Sequence, residues 1–196
     1  ESDLAEMMNL GGDERIYPAS MTKIMTALLT IENLPDLNET ITVPEDIFEE
    51  LTAQDASVAG FNPYEQPTVR DLLYGVLLPS GADACETLAR AVGGSEEGFV
   101  AMMNQKAEEL GLTNTHFENC TGLHNDNHYS TCRDIAVLMS ECLKSDTFRE
   151  IVTREVYTTE ATASHPEGIT LYDTMLHRFT SYEMSTTLEN GAVIEG

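Results

Sequence analysis

The segment Tyr17-Pro18-Ala19-Ser20-Met21-Thr22-Lys23-Ile24-Met25 reads as the start of a helix. Pro18 suits the run-in, because its ring fixes φ and it lacks an N–H that the first turn has no acceptor for. Met21, Ile24, Met25, Leu28 and Leu29 then recur at i, i+3, i+4, i+7 and i+8, the spacing of one apolar helix face. Ser20, Lys23, Ala27 and Thr30 line a neighbouring face, which sets a hydroxyl and an amine one turn apart on the same side. The remaining face carries Thr22, Thr26 and Ala27 rather than charges, so the pattern predicts a helix over about 20–32 that is buried all round. A lysine on such a helix is costly to keep charged, and a neutral amine beside a hydroxyl is a base beside its nucleophile.

The composition around this helix narrows the function. The chain has 196 residues, 41% of them apolar, enough for one sizeable core. Its net charge is −24, and Lys and Arg together number only 10. Nucleic-acid binding needs clustered cations to neutralise phosphate, so that class is excluded, as is docking of this segment on an anionic membrane surface. No run of 18 apolar residues is long enough to span a bilayer. No signal peptide is visible, and the start at Glu1 reads as a processed or engineered boundary.

Further along, Thr40 to Val43 is a short strand candidate, and residues 52–67 read as irregular. Thr68 caps a second helix carrying Val69, Leu72, Leu73, Val76 and Leu77. Pro79-Ser80-Gly81 interrupts it before a third helix with Ala84, Cys85, Leu88, Ala91 and Val92. Ser95 caps a fourth helix that ends at Gly111, Thr131 a fifth and Ser145 a short sixth. Glu155 to Thr159 and Ile169 to Tyr172 have strand composition.

Three polar groupings invite chemistry. Ser80, on the turn between two apolar helices, is an ordinary N-cap that can also point into a cleft. His124-x-Asp126-x-His128, with His116 nearby, offers ligand types, but on a loop without helical i, i+4 geometry, so no metal and no cofactor is assigned. Cys85 and Cys142 read as buried thiols; Cys120 and Cys132 flank one loop at a spacing that a bridge can close, which sequence leaves open.

Ser20-x-x-Lys23 is the first motif of penicillin-binding proteins and class A β-lactamases. Alone it is weak, but it stands in an ordered series. Tyr17-Pro-Ala-Ser-Met-Thr-Lys23, Val69-Arg-Asp-Leu-Leu-Tyr-Gly75, Leu77-Leu-Pro-Ser-Gly-Ala-Asp-Ala84, Leu110-Gly-Leu-Thr-Asn-Thr-His-Phe117, Thr121-Gly-Leu-His124 and His128-Tyr-Ser-Thr131 follow one another across nearly the whole chain. In that order they resemble the serine D-alanyl-D-alanine carboxypeptidases, the low-molecular-weight penicillin-binding proteins. Two departures stand out. The family's second motif is usually Ser-x-Asn, and here Ala82 holds the third position. The third motif, Lys-Thr-Gly, follows none of Lys23, Lys106 or Lys144, and Gly191 to Gly196 looks like the run before it.

The resemblance implies a helix-rich α/β (α+β) fold of the β-lactamase/transpeptidase type, with residues 1–196 forming one partial catalytic domain whose helical region is present and most of whose antiparallel sheet lies outside. It implies acyl transfer to Ser20, with Lys23 as base, Ser80 as proton relay, and Gly81 and Ala82 beside the substrate. The Ser20 N–H would supply half of an oxyanion hole. The implied partners are a peptidoglycan stem peptide ending in D-Ala-D-Ala and β-lactam antibiotics as covalent inhibitors, and the implied location is extracytoplasmic. A class A-like β-lactamase is the competing reading by mechanism, and a non-catalytic peptide-binding fragment the competing reading by class.

Overall fold

The computed structural model describes residues 9–174 in full and the backbone of 185–187 and 193–195. In chain order the elements are β1 (Arg15–Ile16), a 3-10 turn (Ala19–Thr22), α1 (Lys23–Asn33), α2 (Ile47–Ala53), α3 (Val69–Leu77), α4 (Ala82–Gly93), α5 (Glu96–Glu109), β2 (Ser130–Thr131), α6 (Cys132–Cys142), α7 (Asp146–Val152), β3 (Val156–Thr158), β4 (Thr170–Tyr172), β5 (Ser185–Thr187) and β6 (Val193–Glu195). The strands form three antiparallel pairs, β1 with β2, β3 with β4 and β5 with β6. The helix-rich α/β expectation therefore stands, with seven helices against three short ribbons among the described residues. Of the run Gly191 to Gly196, all but the backbone of 193–195 lies outside the described residues.

The chain wraps around α1. Helices α3, α4, α5, α6 and α7 all pack on it. Met25, Thr26, Ala27, Leu28, Leu29 and Thr30 are all buried, so the helix is sunk on every side along its middle turns, while Glu32 and Asn33 at its end are exposed. Each fully buried Leu or Met of this set contributes roughly 1.5–3 kcal/mol by leaving water. The start differs from expectation. Residues 19–22 form a tighter 3-10 turn, and Met21, assigned to the apolar face, stays 40% exposed. The reason lies in the backbone: Ala19 sits at φ +49, so the turn cannot open as a regular α-helix.

Most helix starts follow their side-chain caps. Thr68 accepts from Asp71 N in a full capping box, and Ser95, Thr131 and Ser145 accept from Gly98, Asp134 and Phe148 N. Gly94 at φ +76 stops α4, as expected of the Gly93-Gly94 pair. Helix α2 departs from the sequence expectation, because its two buried positions, Ile47 and Leu51, are too few to show a period. Thr40 to Val43 pairs with residues 65–67 by backbone bonds from Ile41 and Val43, yet only the Thr40–Thr68 bridge is regular. No helix among the described residues is long and apolar enough to cross a membrane.

Candidate active site

Ser20 lies on the exposed side of the 3-10 turn, and Lys23 opens α1 at 6% exposure. The turn is fixed from behind by the loop 118–122. Gly122, at φ +88, backs so closely onto Ala19 that a Cβ there would fall 1.8 Å from the Ala19 carbonyl oxygen. Thr121 O accepts from Lys23 Nζ at 2.6 Å, and Cys120 O accepts from Thr26 Oγ1 at 2.6 Å. Three successive loop residues thus each meet the 3-10 turn or the first turn of α1. Asn119 shapes the loop: its Oδ1 accepts from Thr121 N and Gly122 N, and its Nδ2 donates to Leu123 O.

His128 supports the same turn from the other end of the loop. Its Nδ1 accepts from Glu118 N at 3.0 Å, so the neutral ring carries its proton on Nε2 and donates to Thr22 Oγ1 at 2.7 Å. Burial drives its pKa down to about 4. Both nitrogens being engaged, His128 has no lone pair for a metal. His124 is exposed and faces Asp126 at 3.4 Å, so the three-residue motif does not close into a ligand set.

Ser80 sits at φ +62, in the left-handed region, and its Oγ is buried with no hydrogen-bond partner. It is not the helix cap that its position suggested: Gly81 takes that place and makes no side-chain bond. The turn is held instead by Asp83, fully buried, whose carboxylate accepts from Ala59, Gly60, Phe61 and Ala84 N. Gly81 and Ala82 are both buried, and their N–H groups are committed to Gly75 O and Ser57 O. Neither presents a free backbone amide to a ligand, and Ala82 brings no side-chain amide in the place where the family usually has Asn.

Helix α4 packs on α1, and burial there pushes the Cys85 thiol up to about 12. The amine's hydrogen bond goes to Thr121, and among the described residues no hydrogen bond joins it to Ser20 or Ser80. Cys120 and Cys132 are both free, one buried and one exposed. The structure adds Asn119, Thr121, Gly122, Asp83 and His128 as positioning residues that sequence reasoning misses. An Asx-turn pattern, Asn119-x-x-Gly122, is the one local signal that marks any of them.

The structure thus places a buried lysine one turn beyond a serine on a strained turn, with a second serine hydroxyl left orphaned beside a neighbouring helix. A family profile described as D-alanyl-D-alanine carboxypeptidase, peptidase S11, matches residues 7–180, and the chain belongs to that family. It is 40% identical over 164 residues to the D-alanyl-D-alanine carboxypeptidase DacF of Bacillus subtilis (strain 168), covering 83% of this chain and 42% of the relative. It is 38% identical over 154 residues to a D-alanyl-D-alanine carboxypeptidase of Streptomyces sp. (strain K15), 74% of this chain and 53% of the relative. The crystal structure of the Streptomyces K15 DD-transpeptidase superposes with TM-score 0.80 at 33% identity, covering 91% of this chain and 72% of that one. Penicillin binding protein 6B from Escherichia coli superposes with TM-score 0.73 at 29% identity, over 82% and 51%. The chain spans about half the length of the curated relatives it matches.

Proposed function

We propose that this protein is a serine-type carboxypeptidase that removes the terminal D-Ala from peptidoglycan stem peptides, and that β-lactams acylate it at the same serine. The observation that carries the reading is the Lys23 amine, buried to 6% exposure and held on Thr121 O one turn from Ser20. The amine donates one N–H to that carbonyl, and as the base of the reaction it takes the Ser20 proton. Ser20 Oγ then attacks the penultimate D-Ala carbonyl carbon. The oxyanion meets the Ser20 N–H, which lies in the first turn where backbone donors have no intrahelical acceptor. As the C–N bond breaks, Ser80 Oγ, otherwise without a partner, relays the proton from Lys23 to the leaving D-Ala nitrogen. Water enters by the reverse path, and the acyl group leaves with it. Gly81 and Ala82 shape this turn beside the substrate and give it no backbone amide. The substrate places the protein outside the cytoplasm, at the cell wall.

The test is paired. Fluorescent penicillin should label the wild type and not Ser20→Ala, and D-Ala should be released from a diacetyl-Lys-D-Ala-D-Ala peptide. Labelling that survives Ser20→Ala overturns the assignment of the nucleophile. Rapid multiple turnover of nitrocefin would instead assign the site to a β-lactamase, and peptide binding without acylation to a non-catalytic binder.

A further inference from the structure

We infer a second site, a thiolate–dicarboxylate seat for a borderline-soft divalent cation of the zinc class, built by Glu86, Glu96 and Cys120. Glu86 comes from α4, Glu96 opens α5, and Cys120 lies on the loop between α5 and β2. One ligand atom from each lies within 4.8 Å of the others. Tetrahedral bonds of about 2.0–2.3 Å set ligand atoms roughly 3.5 Å apart. Cys120 Sγ already stands 3.4 Å from Glu86 Oε1, so closing the set asks for movements on the order of 1 Å by two carboxylates.

A second observation points to a ligand. Glu86 is 9% exposed, and its Oε2 is buried without any hydrogen-bond partner. A buried carboxylate oxygen left bare is a costly arrangement that a cation or a proton relieves. The neighbouring cation relieves it only in part, as an ion pair beyond hydrogen-bond reach. Arg90 gives its Nη1 to Asp46 at 2.6 Å, while its Nε stays 3.8 Å from Glu86 Oε2. Glu96 is oriented for the same space by Cys120 N, which donates to its Oε1 at 3.2 Å. A cavity of about 550 Å³, whose wall includes Glu86, Glu96, Arg90 and Thr121, opens beside the cluster and gives a cation its path and a water its place as fourth ligand.

Binding would release the Cys120 thiol proton, and the proton of Glu86 where it holds one, to solvent. The soft sulfur selects zinc or cadmium over magnesium or calcium. The seat also adjoins Lys23 through the backbone, since Cys120 O and Thr121 O hold Thr26 and Lys23. The inference stands on these three residues and does not rest on the role of Ser20.

The probe is cadmium chloride, titrated into the purified protein in a Cys132→Ser background that removes the exposed thiol. One equivalent should bind, with the ultraviolet charge-transfer band of a cadmium–thiolate bond, and zinc should displace it. The metal should also raise the melting temperature, because it binds the folded state alone. Cys120→Ser should abolish the band, and Glu86→Gln and Glu96→Gln, which keep side-chain size, should each weaken affinity by about tenfold or more. A band retained in Cys120→Ser overturns the site. So does unchanged affinity in both Gln variants, or the absence of any thiolate band in the Cys132→Ser protein.

Discussion

Lys23 Nζ and Thr121 O meet at 2.6 Å across 98 positions of sequence, and that bond ties the base of the proposed reaction to the loop behind it. The loop holds the amine by a main-chain atom, so no side-chain substitution at Thr121 removes the acceptor. The amine itself can be removed. Lys23→Met keeps the buried stem and deletes the nitrogen, leaving one carbonyl without its donor. Acylation by fluorescent penicillin should slow by about 10²–10⁴, the range of a lost general base, while the unpaired Thr121 carbonyl lowers stability by only about 1–3 kcal/mol. Labelling at the wild-type rate would mean that another group takes the Ser20 proton.

Gly122 is the tightest point of the same contact. Its φ of +88, and the 1.8 Å that would separate an added Cβ from Ala19 O, leave no room for a side chain. Gly122→Ala should therefore push the loop off the 3-10 turn, at about 1–3 kcal/mol for the backbone strain alone. Urea denaturation should show that loss, and penicillin labelling should fall with it because Ser20 sits in the displaced turn. A variant as stable and as reactive as the wild type would show that the loop does not position Ser20.

Two buried groups give stability opposite dependences on pH. His128 is neutral when folded, with a pKa near 4 against about 6.5 unfolded, so its contribution is complete above about 6.5 and is lost as pH falls toward 4. That difference corresponds to roughly 3 kcal/mol. Glu86 runs the other way. Its folded pKa of about 7 lies above the unfolded carboxyl value, so its contribution is complete below about 4.5 and is lost as pH rises through 7. Between about pH 4.5 and 6.5 the wild-type melting temperature should change little. Glu86→Gln should unmask a rise with pH in that window, and His128→Gln a fall. Identical profiles for all three proteins would show that neither group titrates as its surroundings require.

The central helix is legible in the sequence because its evidence is local. Five apolar residues at helical spacing and a charge-free back face do not depend on what packs against them, and Thr68, Ser95, Thr131 and Ser145 announce their helices by capping chemistry within three residues. The proposed nucleophile and base, Ser20 and Lys23, are legible for the same reason, lying three positions apart. What places them is not. Thr121, Gly122 and His128 act across about a hundred residues, through a carbonyl, a missing Cβ and a ring nitrogen, none of which leaves a periodic trace. The left-handed backbones of Ala19 and Ser80 are hidden too, because neither is glycine, the residue that usually marks such a conformation.

Asp83 shows how such long-range support can be tested. Its Oδ1 accepts from Ala59 N at 2.7 Å and Ala84 N at 3.0 Å, and its Oδ2 from Gly60 N at 3.0 Å and Phe61 N at 3.1 Å. One carboxylate thus fastens the 59–61 loop to the first turn of α4 and fixes the turn carrying Ser80. Asp83→Asn keeps one acceptor oxygen and turns an NH₂ group toward two N–H donors; Asp83→Ala leaves all four amides without acceptors. Each buried donor left unpaired costs about 1–3 kcal/mol, so Ala, with four of them, should destabilise by at least about 4 kcal/mol and Asn by less. In the proposed reaction Ser80 serves the departing amine, so Asp83→Asn should slow D-Ala release even where the protein remains folded. Circular dichroism in urea reports the first effect and the peptide assay the second. If Asn matches the wild type in both, the four hydrogen bonds do not fix the Ser80 turn, and the source of its left-handed backbone must be sought in the packing of Gly81 on Ala59.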